Sequence, residues 1–166
     1  VTGWTLPFES ATLVTWMAII GVLLAHFTRE RSVFLWVSWL FLGLAAGCIV
    51  ADMVQLSEPL ALAIFAAMAL WVTVAFGLSP TVFQGVAIGS GYIAGVLVRQ
   101  SHPELMTVWS IQVSALACLV MVPMMIAALL RLPGDRFPTF GSIFVRVIGS
   151  WMLALAAMQS AFLIQA

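Results

Sequence analysis

The sequence predicts an all-α fold: a polytopic transmembrane helical bundle of six spans, forming a single domain over residues 1–166. Three observations predict it. The 166-residue chain is 64% hydrophobic and only 7% charged, whereas water-soluble domains carry about 25% charged residues. About half of a small soluble domain's residues must face water, so a soluble fold could not hide this much apolar surface. The apolar residues also fall into runs near the roughly 20 residues that a spanning helix needs, and the breaks between runs carry helix punctuation.

The first run covers about 11–27 and stops at Thr28-Arg29-Glu30-Arg31-Ser32. The second covers 33–51 and stops at Asp52. The third, about 58–77, opens on Ser57-Glu58-Pro59 and closes at Gly77. Ser57 can cap, Glu58 suits the positive helix end, and Pro59 suits the first turn. Ser79-Pro80 repeats that start signal for a fourth run, 80–98. The polar stretch Arg99-Gln100-Ser101-His102-Pro103-Glu104 precedes a fifth run, 105–130, with a kink expected at Pro123. A turn is expected at Arg131-Leu132-Pro133-Gly134-Asp135-Arg136, followed by the last span, about 141–164. No soluble domain, linker or low-complexity tract stands out.

Orientation is expected from the arginines, because cytoplasmic loops are enriched in basic residues. With the N-terminus outside, inner loops hold Arg29, Arg31, Arg131 and Arg136, and outer loops hold Arg99. Both termini are therefore expected on the outer, periplasmic side. Trp4 and Trp109 would mark the outer interface, Trp36 and Trp71 the inner one. The chain opens on Val1, which fits removal of an initiator Met or cleavage of a signal peptide equally. Cys48 and Cys118 lie in apolar runs outside any CxxC motif, so they read as small core residues rather than a disulfide. The balanced charge, six basic and six acidic residues, argues against nucleic acid as a partner.

Ionisable residues within a membrane are costly, so each is a candidate site. Arg146 is the charge within the last run. It can snorkel to the headgroups, or contact an acid, a lipid phosphate or a partner subunit. His26, at a helix end, and His102, in His-Pro-Glu, read more simply as interfacial and loop residues. His102 with Glu104 offers two metal ligands where a tight site wants three or four. Neither His suits axial haem ligation, and the scattered Met residues read as core filler. No nucleophile–base pair, phosphate loop or zinc motif is apparent. No enzyme activity, catalytic residue, cofactor or metal site is expected.

Glycine spacing is more informative. Gly43 and Gly47 lie four apart in the second span, as do Gly85 with Gly89 and Gly91 with Gly95 in the fourth. Small residues at this spacing let helix backbones approach closely. They predict either a tight internal pair or a face for a partner.

The arrangement resembles the HupE/UreJ family of small six-helix membrane proteins. Phe83-Gln84-Gly85-Val86-Ala87-Ile88-Gly89 is similar to that family's Phe-His-Gly-x-Ala-His-Gly element. Leu6-Pro7-Phe8-Glu9-Ser10-Ala11-Thr12-Leu13 resembles its His-Pro-x-x-G-x-Asp-His opening, and Leu56-Ser57-Glu58-Pro59 loosely matches its third-helix entry. Arg146-Val147-Ile148-Gly149 resembles its Arg-x-x-Gly ending. The resemblance implies a nickel permease scaffold in a bacterial inner membrane. Leu6, Thr12, Leu13, Gln84 and Ile88 stand where the family has metal-binding His and Asp, so the scaffold is expected without the metal chemistry.

Two functions follow. The first is a non-catalytic accessory subunit packed against other membrane protein subunits within the lipid bilayer. The second is a transporter of nickel, another metal or a small neutral solute. Its polar pathway would draw on Gln84, Ser90, Tyr92, Gln112, Ser114 and Gln159. A transporter should show a hydrated cavity near Gln84 and Gln112; a subunit should show a filled bundle.

Overall fold

The structure, a computed structural model, describes residues 5–27, 33–74, 80–104 and 108–136, with further helical positions between 143 and 161. Among the described residues all regular structure is helical. The elements are α1 (Leu6–Glu9), α2 (Ala11–Phe27), α3 (Val33–Val50), α4 (Glu58–Val74), α5 (Pro80–Ser101) and α6 (Trp109–Arg136). Two stretches, Thr81–Ser101 and Trp109–Leu130, are long and apolar enough to cross a membrane. Ala11–Ala25, Leu35–Val50 and Pro59–Leu70 are apolar but shorter.

Local chemistry explains the element ends. Ser10 opens α2: its hydroxyl oxygen accepts from the Leu13 N–H at 3.4 Å, and its carbonyl accepts from Val14. The hydroxyl thereby satisfies one of the first-turn donors that a helix leaves unpaired, and the carbonyl accepts the first regular helix bond. At α4 the Ser57 carbonyl accepts from Leu60 and Ala61, so the helix begins where the Ser-Glu-Pro signal places it. Three boundaries differ from expectation. The short helix α1 precedes α2. Helix α5 runs past Val98 to Ser101, because Arg99 and Gln100 find partners across the rim described below.

The largest difference is at α6. It starts at Trp109 rather than at 105, and it is helical through Arg136, where a turn is expected over 131–136. A proline inside a helix removes one backbone bond and crowds the carbonyl four residues earlier. At 28 residues α6 is about 42 Å long, beyond the roughly 30 Å of a hydrocarbon core. Pro133 falls in the last turn of this helix. The expected spans reach residues 75–77, 105–107 and most of 141–164, which lie outside the described residues.

Helix α2 is central. Leu13, Trp16, Met17, Ile19, Ile20 and Val22, which together cover more than half of its circumference, are all buried. It packs against α6 and α4 and touches α5. Helices α3 and α5 form the most extensive pair. The outer surface is apolar as well: Leu35, Phe41, Leu42 and Ile49 of α3 point outward. A helix hydrophobic on every side belongs in a large core or a membrane.

Candidate functional site

The α3–α5 seam is built on glycine. A Cβ added at Gly43 would collide with the Ile88 carbonyl oxygen, and one at Gly47 with that of Tyr92. From the other side, a Cβ at Gly91 would stand 2.6 Å from the Leu40 carbonyl oxygen, and one at Gly95 would collide with that of Leu44. Advancing four residues along α3 advances four along α5, so the two helices run parallel. The obstructing atoms are main-chain atoms, which cannot rotate aside. Cys48 closes the seam by donating its thiol to the Gly95 carbonyl at 3.4 Å.

The other glycine pair of α5 does something different. Gly85 and Gly89 are exposed, and a Cβ on either would meet no atom of the described residues within 4 Å. Of the six glycines singled out by spacing, four are thus consumed inside the chain. Two present a bare backbone outward.

The candidate polar pathway residues are dispersed. Gln84 lies near the start of α5 and Gln112 near the start of α6. These two helices begin at opposite ends of the bundle, as the rim contacts show. Gln84, Tyr92 and Gln112 are half-buried. Ser90 is buried and donates to the Ala87 carbonyl of its own helix at 3.3 Å. Ser114 likewise donates to Ser110 and Ile111 at 2.9 Å. Hydroxyls bonded back to their own helix are satisfied locally and need no partner across a channel. Gln159 lies outside the described residues.

One end of the bundle carries a polar rim. Arg99, near the end of α5, lies 3.6 Å from Asp52, which follows α3. Gln100 donates to the Val54 carbonyl at 2.6 Å. His102 lies 3.6 Å from Glu9 at the end of α1. The ends of α3 and α5 and the starts of α2 and α4 therefore meet here. Arg146 is exposed.

Toward the opposite end, Ile20, Leu23, Leu24, Trp36, Leu40, Phe83, Val86 and Ala87 line a crevice of about 250 Å³, including its mouth. Its walls are hydrocarbon. Trp36 meets Phe83 edge-on with ring centroids 4.4 Å apart. Expected at an interface, Trp36 is instead buried, while Trp109 is largely exposed. Trp4 and the Trp71 side chain lie outside the described residues.

Of the five positions singled out by the resemblance, Leu6, Thr12 and Leu13 are buried, and Gln84 and Ile88 are half-buried. Among the described residues no three His, Cys, Asp or Glu side chains gather closely enough to hold a metal ion. Two contributors escaped sequence reading. Gly21 of α2 packs on α6, where a Cβ would stand 2.6 Å from Ile126 Cγ2 and 3.1 Å from the Pro123 carbonyl oxygen. Its signal was present as Gly21 four residues before Ala25. Trp16 is wholly buried, and its indole N–H has no hydrogen-bond partner among the described residues. No family model, curated protein or solved structure matches the chain.

Proposed function

We propose that the chain is a non-catalytic accessory subunit of a larger membrane complex, built on a HupE/UreJ-like six-span scaffold that has lost its metal ligands. The observation that carries this reading is the division of labour on α5. Gly91 and Gly95 are covered by α3, whereas Gly85 and Gly89 are uncovered. In lipid, hydrophobicity does not drive helices together, and close backbone approach over small residues does. A bare glycine pair on an outward face suits a transmembrane helix from another subunit. Both termini on the outer side of a bacterial inner membrane agree with the arginine distribution and with the up-and-down course of α2 to α6.

The transporter reading has less support. The described crevice is apolar, and Gln84 and Gln112 are far apart along the bundle. Among the described residues, neither the serine hydroxyls nor Gln84 and Gln112 converge on a common pathway.

A photo-crosslinking amino acid at position 89, compared with one at position 42, tests the proposal in intact membranes. Leu42 also points outward, from α3. Position 89 should capture one discrete membrane protein, and position 42 should capture lipid. Capture of lipid alone at both positions, with recovery of the chain only as a lone monomer, overturns the subunit reading. Metal or solute uptake lost on Gln84→Ala favours transport instead.

A further inference from the structure

We propose that the crevice between α2, α3 and α5 binds a small neutral alkyl molecule that ends in a hydroxyl group. Two independent features meet there. The first is the crevice itself, about 250 Å³ with its mouth. That lies just under the roughly 300–1,000 Å³ of sites for drug-sized ligands, so its occupant is small. Its walls, among them Ile20 and Leu23 of α2 and Phe83, Val86 and Ala87 of α5, are hydrocarbon. They suit an alkyl body and give water no partner.

The second feature is the indole N–H of Trp16, wholly buried and without a hydrogen-bond partner among the described residues. Trp16 stands one turn from Ile20 and two from Leu23 on the same face of α2. Ser90, also buried, stands one turn from Val86 and Ala87 and two from Phe83 on α5. The two helices run in opposite directions, α2 starting and α5 ending at the rim. Trp16 and Ser90 therefore extend the same column one turn beyond the crevice. There the inward face of α5 carries the small, buried side chains Ala87, Ser90 and Ala94. The Ser90 hydroxyl gives its proton to the Ala87 carbonyl at 3.3 Å, and its oxygen keeps lone pairs that accept. A ligand hydroxyl at this level accepts from Trp16 Nε1 and donates to Ser90 Oγ. A ketone or ether answers the indole alone, and an alkane answers neither. A buried donor left unpaired is costly, so the oxygen of the occupant decides how firmly it is held.

Photolabelling of the full chain in nanodiscs tests this, with a diazirine-bearing octanol and the matching diazirine-bearing octane at equal concentration in the membrane. Peptides over residues 20–24 and 83–90 should be labelled saturably, with about tenfold preference for the alcohol, as expected of one buried hydrogen bond. Trp16→Phe should lower labelling by the alcohol about tenfold and leave labelling by the alkane unchanged; a merely loosened bundle would change both. Ser90→Ala should lower labelling by the alcohol about threefold. Ala87→Leu, which fills the crevice, should abolish saturable labelling by either probe. Equal labelling by alcohol and alkane in the parent chain, labelling that never saturates, or an alcohol preference that survives Trp16→Phe overturns the site.

Discussion

Cys48 of α3 donates its thiol to the main-chain carbonyl of Gly95 on α5, 3.4 Å away. A side chain reaches a carbonyl already engaged in its own helix only when two backbones nearly touch. Gly47 and Gly95 make that approach possible, and the parallel course of the pair repeats it one turn earlier at Gly43 and Gly91. The thiol bond is weak; the packing of backbone on backbone is the larger contribution.

Alanine substitution should therefore separate the glycines by sign. At Gly47 or Gly95 the new methyl meets a main-chain carbonyl, so the helices must part. Overpacking costs typically 1–3 kcal/mol, and an obstacle that cannot rotate sets Gly47→Ala and Gly95→Ala at about 2 kcal/mol or more. Gly85→Ala and Gly89→Ala meet open space and gain helix propensity, worth up to about 1 kcal/mol. Steric-trapping measurements of unfolding in bicelles should find the first pair destabilised and the second pair neutral or stabilised.

A larger side chain on the open face should act on assembly alone. Gly85→Leu and Gly89→Leu should leave the isolated chain folded, because both positions are exposed and a Cβ there meets no described residue within 4 Å. They should reduce co-purification with the proposed partner subunit at least tenfold. Unchanged recovery of the partner, with normal folding, would argue that this face meets lipid only.

Much of this was legible in the sequence. The apolar runs and the Ser-Pro and Ser-Glu-Pro starts place α2 to α5 to within a few residues, since length and capping are local properties. The glycine spacing marks the seam for the same reason. Which glycine pair of α5 faces inward is not local. Gly89 and Gly91 are two residues apart, about 200° around a helix of 3.6 residues per turn, so one pair faces α3 and the other faces away. Only the position of α3 decides between them. The helical course of α6 through Pro133 is not legible because Pro133-Gly134 reads locally as a turn, whereas a proline removes one backbone bond without obliging the chain to turn. The rim was missed because its pairs, Arg99 with Asp52 and His102 with Glu9, join residues far apart in sequence.

On that rim the neutral bond should outweigh the ion pair. Gln100 donates to the Val54 carbonyl at 2.6 Å in a partly buried setting, and such bonds contribute about 0.5–1.5 kcal/mol. Asp52 is 73% exposed and 3.6 Å from Arg99, so solvent screens the pair to between zero and about 1 kcal/mol. Gln100→Leu should thus lower stability by about 1 kcal/mol, and Asp52→Asn by less than half of that. Raising the salt concentration should shrink the Asp52→Asn effect and leave the Gln100→Leu effect unchanged.

The α2–α6 seam should respond differently from the α3–α5 seam to a compensating change. A Cβ at Gly21 would stand 2.6 Å from Ile126 Cγ2 and 2.7 Å from Ile126 Cβ, but 3.1 Å from the Pro123 carbonyl oxygen. The nearer obstacle is a side chain, and the farther one is a main-chain atom that need give only a few tenths of an ångström. Gly21→Ala alone should cost about 1–3 kcal/mol by overpacking. Ile126→Ala alone should cost somewhat less than a fully buried truncation, because Ile126 is half-buried. In the double variant the alanine at position 126 removes the Cγ2 contact but keeps Cβ, so the new methyl at 21 gains partial relief and the helices must still part slightly. The pair should then be at least 0.5 kcal/mol more stable than the sum of the single effects, a coupling typical of residues in contact. Gly47→Ala combined with Tyr92→Ala offers no such relief, because the obstacle there is the Tyr92 carbonyl, which truncating the side chain leaves in place. Additive losses in the first pair, or relief in the second, would mean that the two seams are not built as the structure has them.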